Sequence, residues 1–184
     1  MRPSEAKQAV VELIKAREST MLWGPPGVSK SDLVRQAVVQ VYGSLEGHYI
    51  DRRVACMDAV DVGGFPMPNG ESMKFSRPDF VMTEGAGVIF LDEFAQGVPL
   101  VQAALTQFML DRRIRDHQLG DGWAIIAAGN RAEDRAGANR LITPILNRLI
   151  HLDVEVSYED WLFWAAEQGL AQEVLRRLCP LKGR

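Results

Sequence analysis

The segment Gly24-Pro25-Pro26-Gly27-Val28-Ser29-Lys30-Ser31 restricts what this chain can fold into more than any other. It follows a short apolar run, Thr20 to Trp23. It opens a stretch in which Leu33, Val34, Ala37, Val38 and Val41 recur at helical spacing up to Gly43. A buried strand, a glycine-bearing turn and a helix, in that order, bring backbone N–H groups, a lysine and a hydroxyl to one helix N-terminus. Such a loop is suited to polyphosphate with Mg²⁺. Lys30 would reach the β- and γ-phosphates, and Ser31 would place its hydroxyl on the metal. Gly24 and Gly27 would permit torsions that a side chain forbids. The candidate contacts are Gly24, Pro25, Pro26, Gly27, Val28, Ser29, Lys30, Ser31 and Asp32. One position departs from the pattern Gly-x-x-x-x-Gly-Lys-Ser/Thr: Ser29 stands where it has glycine. Its Cβ narrows the approach to phosphate and disfavours positive φ. The plain alternative is a Gly/Pro turn before an ordinary helix.

Three downstream positions bear on that loop. Val88 to Leu91 is a continuous apolar run, as in a strand buried on both faces, and it ends in Asp92-Glu93. Asp92 there can hold Mg²⁺, and Glu93 can polarise an attacking water as a general base. In isolation, two acids closing a strand read equally well as a solvated end. The run Trp123 to Gly129 ends at Asn130, whose amide can bond a γ-phosphate or a lytic water without adding charge. Taken alone, Gly-Asn is ordinary turn chemistry. Arg148 precedes a last expected strand, Leu149 to Val156. It can act across a subunit boundary on transition-state charge, or form a surface ion pair of little worth.

The remaining periodicities predict a helix over Ser4 to Arg17 capped by Ser4, a strand over Tyr49 to Met57, and a helix over Val98 to Leu110. A small hairpin is expected within 111–122. The Gly/Pro-rich stretch 58–87 has no strong period, and a segment of that length is expected to be functional or partly structured. Ser157-Tyr158-Glu159-Asp160 is a capping-box pattern, and Ala171 to Leu178 continues helical. Strands alternating with helices imply an α/β fold, a parallel sheet covered on both faces. Ligand then binds at the carboxyl ends of the strands.

At 184 residues and a net charge of −3, the chain suits one domain and gives no footprint of non-specific nucleic-acid binding. No apolar run approaches the roughly 18 residues of a membrane span, and Met1 to Glu18 lacks a signal core. Cys56 and Cys179 are far apart, in no metal spacing, which fits a reducing cytoplasm. His48, His117 and His151 are likewise scattered. Trp161, Phe163 and Trp164 read most simply as a buried aromatic stripe. Arg112, Arg113 and Arg115 read as a solvated hairpin.

Taken together and in this order, the motifs resemble those of AAA+ ATPases, and more narrowly the MoxR-like branch of bacteria and phages. The resemblance rests on Trp23 to Val28, Asp58 to Gly64, Val88 to Phe94, Val101 to Leu105 with Leu110 to Arg113, Ala127 to Arg131, and Leu146 to Leu152, and covers roughly residues 5–165. It implies a P-loop NTPase core of five parallel strands with helices on both faces. In it Lys30 and Ser31 belong to Walker A, Asp92 and Glu93 to Walker B, Asn130 to sensor 1 and Arg148 to the trans-acting arginine finger. It also implies ATP and Mg²⁺ as ligands and a homo-oligomer, a hexameric ring, with ATP at the interfaces. The ring would remodel a protein partner, in this branch often a von Willebrand factor A domain protein. Segments 58–87 and 112–122 match insertions that face the pore or substrate. On this reading residues 1–156 form the nucleotide-binding core and 157–184 a short helical segment, so the usual helical lid is short or missing. The alternative is a nucleotide-binding scaffold with little or no turnover. A small P-loop kinase or GTPase fits less well, because no Asn-Lys-x-Asp guanine-reading motif is present.

Overall fold

The computed structural model describes residues 1–131, 149–167 and 169. Helix α1 (Pro3–Ala16) leads into strand β1 (Thr20–Trp23), and the loop after it feeds α2 (Lys30–Tyr42). Then come β2 (Tyr49–Arg53), the short α3 (Ala59–Gly63), and the paired strands β3 (Pro66–Asn69) and β4 (Ser72–Phe75). Strand β5 (Ala86–Asp92) precedes α4 (Pro99–Asp111), the two-residue strands β6 (Arg113–Ile114) and β7 (His117–Gln118), and β8 (Gly122–Gly129). Strand β9 (Ile150–Asp153) and α5 (Tyr158–Glu167) complete the described elements.

The main sheet has five parallel strands in the order β2-β5-β8-β1-β9. Its central strands are apolar on both faces. From β5, Val88 and Phe90 join the α1–α2 side, where Val10, Ile14, Val34 and Val38 pack. Ile89 and Leu91 face the α4 side, with Val101, Leu105 and Phe108. Two separate cores, one on each face, explain why the run reads without alternation. All strand carboxyl ends therefore lie along one edge, in the order β2, β5, β8, β1, β9.

Several local expectations change. Helix α1 starts one residue earlier, with Arg2 at its N-cap, where the Glu5 carboxylate accepts the Arg2 N–H. The Ser4 amide is committed elsewhere, donating to Asp160 Oδ2 at 2.8 Å. That bond is the leading cause holding the Asp160 carboxyl below its ordinary pKa. The second strand stops at Arg53 and turns into a 3₁₀ segment, Val54–Cys56. The last strand is confined to Ile150–Asp153, and α5 begins at Tyr158, with Ser157 Oγ accepting the Asp160 N–H. Phe163 and Trp164 are exposed rather than buried, at 77% and 44%. Along α5 only Ala165 is fully buried among the described residues, so the apolar side of the helix is narrower than its aromatic content suggests. Arg112 is only partly exposed: its guanidinium donates to the carbonyls of Arg17, Gly120 and Trp123, and burial lowers its pKa. Among the described residues, no helix is long and apolar enough to cross a membrane. The helix expected over Ala171 to Leu178, and with it the extent of any lid, lies outside the described residues.

Candidate functional site

Three adjacent strands deliver the candidate groups to one place: β5 ends at Asp92, β8 at Gly129, one residue before Asn130, and β1 at Trp23, one residue before the Gly24 loop. The two loop glycines answer different needs. Gly27 has φ +85°, a conformation costly for a side chain. Gly24 is required by close packing, because a Cβ there would lie 2.5 Å from the Val154 carbonyl oxygen. The Val154 amide in turn donates to the Trp23 carbonyl at 2.7 Å, so the chain leaving β9 presses on the start of the loop.

Ser29 adopts the left-handed conformation, φ +60° and ψ +35°, at the N-cap of α2, and makes no side-chain capping bond. The residue that departs from the motif has therefore taken the backbone shape that a glycine would adopt without cost. Val28 is buried in the core, so only its backbone can serve a ligand. Asp32 pairs with Arg35 at 3.4 Å on the surface of α2, and its carboxylate does not join the cluster formed by Lys30, Ser31 and Asp92.

The polar cluster is closely knit. Lys30, only 9% exposed, directs Nζ to the carbonyls of Gly24 at 2.7 Å and Pro25 at 3.0 Å, and to Asn130 Oδ1 at 2.9 Å. Ser31 Oγ donates to Asp92 Oδ2 at 2.8 Å, and Asp92 Oδ1 accepts the Glu93 N–H at 2.8 Å. Glu93 has φ +53°, which ends β5 sharply and opens the 3₁₀ turn Phe94–Gln96. Its carboxylate lies 3.7 Å from Arg53 Nε, at the end of the neighbouring β2, where Arg53 pairs in register with Asp92. The hydroxyl of Ser31 and the carboxylate of Asp92 are two hard oxygen ligands side by side, the donor set that Mg²⁺ accepts together with phosphate and water. Gly27 and Ser29 both have positive φ, a backbone shape from which anion-binding turns of N–H groups are built.

Arg53, Arg131 and His151 also flank the site, and sequence reasoning passed over them. Arg131 follows Asn130 and pairs with Asp153 at 2.5 Å, which links the ends of β8 and β9 across β1. His151 Nδ1 accepts the Trp23 indole N–H at 2.7 Å. No spacing in the chain signals any of the three, because each depends on which strands become neighbours. Arg148 lies outside the described residues.

No family model and no curated protein matches the chain. Solved structures do. A protein of Cytophaga hutchinsonii described as a candidate ATPase aligns at 16% identity over 84% of this chain and 46% of its own, with a TM-score of 0.57. NtrX of Brucella abortus, crystallised with ATP, aligns at 16% identity over 83% of this chain and 36% of its own, with a TM-score of 0.56. A RuvB variant of Thermotoga maritima aligns at 16% identity over 87% of this chain and 47% of its own, with a TM-score of 0.58. The chain thus spans less than half the length of each. At such low identity the likeness shows the fold alone: an α/β fold with a five-stranded parallel sheet covered by helices.

Proposed function

We propose that this chain is the nucleotide-binding core of an ATP-hydrolysing AAA+ subunit of the MoxR-like kind, which works as a homo-oligomer, a hexameric ring, to remodel or assemble a protein partner. The observation that carries this reading is the convergence of Lys30, Ser31, Asp92 and Asn130 through direct hydrogen bonds from three strand ends. Residues 24–32 hold the phosphates, chiefly through backbone N–H groups and Lys30. Ser31 and Asp92 hold Mg²⁺, which when bound neutralises phosphate charge. Glu93 takes a proton from the water that attacks the γ-phosphorus as its bond to the bridging oxygen breaks and ADP leaves, while Asn130 orients that water or the phosphate. Arg148 of a neighbouring subunit stabilises the charge that develops on the transferred group. Residues 1–156 form the core and 157–184 a helical appendix. A von Willebrand factor A domain protein is one partner class this reading accommodates.

The test is Glu93→Gln. Nucleotide affinity should stay within about twofold, while phosphate release should fall by at least ~10²-fold, the usual contribution of a general base. Equal turnover by the variant and the parent chain removes Glu93 from the mechanism. Tight binding of Mg-ATP by the assembled parent chain, with no phosphate release at all, would favour the scaffold reading.

A further inference from the structure

A second surface lies away from the phosphate loop, between α3 and the first turns of α4. It is an open groove of about 290 Å³. Its floor is apolar and buried: Val62, Val101 and Ile114. Leu100 stands on its wall at 68% exposure, in the first turn of α4. Its rim carries Arg113 and Arg115, and no carboxylate lines it. Among the described residues neither arginine forms an ion pair; Arg113 is exposed, and Arg115 spends its Nε–H on the Gly63 carbonyl at 2.9 Å.

Arg115 also joins the groove to the β3–β4 hairpin, since its guanidinium lies over the Phe75 ring, 3.6 Å from the centroid. Phe65, just before β3, and Met67 and Met73 on the hairpin are exposed at 63%, 47% and 58%. By register Met73 shares a face with Phe75, so apolar surface continues from the groove along that face, whereas Phe65 and Met67 lie on the other. A small anion would need only the two cations, whereas a length of polypeptide uses both the apolar track and the charge. At this volume the groove takes one or two side chains, not a whole element.

We propose that the α3–α4 groove is a docking site for a partner protein segment that presents an apolar side chain flanked by carboxylates. The apolar group seats over Val62, Val101 and Ile114 beside Leu100, and the carboxylates meet Arg113 and Arg115. Desolvation of the leucine-sized anchor supplies most of the affinity, and the rim charges select among partners. The proposal rests on the partner-engaging reading above and names the class of partner.

The experiment uses the whole chain and a fluorescein-labelled Gly/Ser peptide that carries a leucine flanked by glutamates, read by anisotropy. Saturable binding is expected, weakened about tenfold or more by Leu100→Asp and by Arg113→Glu, and weakened in the parent chain when the flanking glutamates become lysines. Arg113→Glu should shift the preference toward the lysine-flanked peptide, a reversal that mere loss of folding cannot produce. No binding, or binding indifferent to flanking charge and to both substitutions, overturns the proposal. So does a result in which the substitutions leave peptide binding unchanged but dissolve an oligomer in sedimentation, which would assign the groove to a second copy of the chain. Phosphate release, measured in parallel on the parent chain, separates the two readings. Peptide binding without hydrolysis removes the ATPase reading alone, and hydrolysis without peptide binding removes the groove alone.

Discussion

At the residue scale, the loop between β1 and α2 turns on Ser29. A non-glycine residue in the left-handed region costs roughly 1–2 kcal/mol, and Ser29 offsets none of this through a capping bond. Ser29→Gly removes that cost but returns about 0.4–1 kcal/mol of freedom to the unfolded chain. The net gain is about 0.5–1 kcal/mol. For a chain of this size it should raise Tm by about 1–4 °C. A lowered Tm in thermal unfolding would mean that the serine hydroxyl contributes an interaction of its own in the folded loop. The four groups of the polar cluster were legible as residue types, because the chemistry of phosphate and Mg²⁺ admits few. Gly24 was legible for the wrong reason: it serves the approach of Val154, a contact set by β9, not an unusual torsion. Arg53 beside Glu93 was not legible, since only the pairing of β2 with β5 makes them neighbours.

At the element scale, the least legible stretch was 58–87. It holds α3 and a β-hairpin whose first strand, Pro66–Asn69, contains two prolines and is exposed at every residue. A strand without a buried face has no alternation to detect, and its prolines argue against a central strand. Tertiary contacts hold it in place. The Phe65 amide donates to Ser76 Oγ at 2.7 Å, and the Ser76 amide to the Phe65 carbonyl at 2.9 Å. His117 Nε2 lies 2.9 Å from the Phe75 carbonyl, and Arg115 covers the Phe75 ring. The β6–β7 hairpin thus braces the β3–β4 hairpin. An exposed cation–π contact contributes about 0.5–1 kcal/mol, and a hydrogen bond adds about as much. Arg115→Ala should therefore speed amide exchange in 65–76 by roughly tenfold, with little change in Tm, because the hairpin opens without global unfolding. Unchanged exchange would show that the two hairpins are independent. The expectation of a solvated arginine run holds for Arg113 and Arg115, which are exposed, and fails at Arg112 for the same reason: Arg112 turns to three carbonyls that lie far from it in sequence or across a turn.

At the scale of the whole molecule, the sheet ends in β2 on one side and β9 on the other. The α3–α4 groove follows the first, and the exposed aromatics of α5 follow the second. If ATP is hydrolysed between subunits, turnover per chain should rise with protein concentration in step with the sedimenting mass. Constant specific activity down to the dilute monomer would place the whole site in one chain. A mixture sharpens the point. Glu93→Gln and Arg148→Ala should each be inactive alone, and mixing them should restore part of the turnover, because a subunit lacking Glu93 can still lend its Arg148 to a neighbour. No restoration in mixed assemblies would assign Arg148 to its own chain's site.

The sequence by itself determined the fold class and supplied the residue types on which the proposed ligand chemistry rests. A Gly-bearing turn between an apolar strand and a helix, followed by two further apolar strands closing in Asp92-Glu93 and Asn130, has few solutions other than a parallel sheet with a phosphate loop at its carboxyl edge. These signals are local, carried by neighbours in the chain. The tertiary structure alone decided which strand ends meet. It set Asn130 against Lys30, 100 residues apart, and Ser31 against Asp92, 61 apart. It brought Arg53 to Glu93 and Arg131 to Asp153, and it braced the β3–β4 hairpin, which has no buried residue, against the β6–β7 hairpin. Such contacts follow from strand order, and no periodicity along the chain encodes that order.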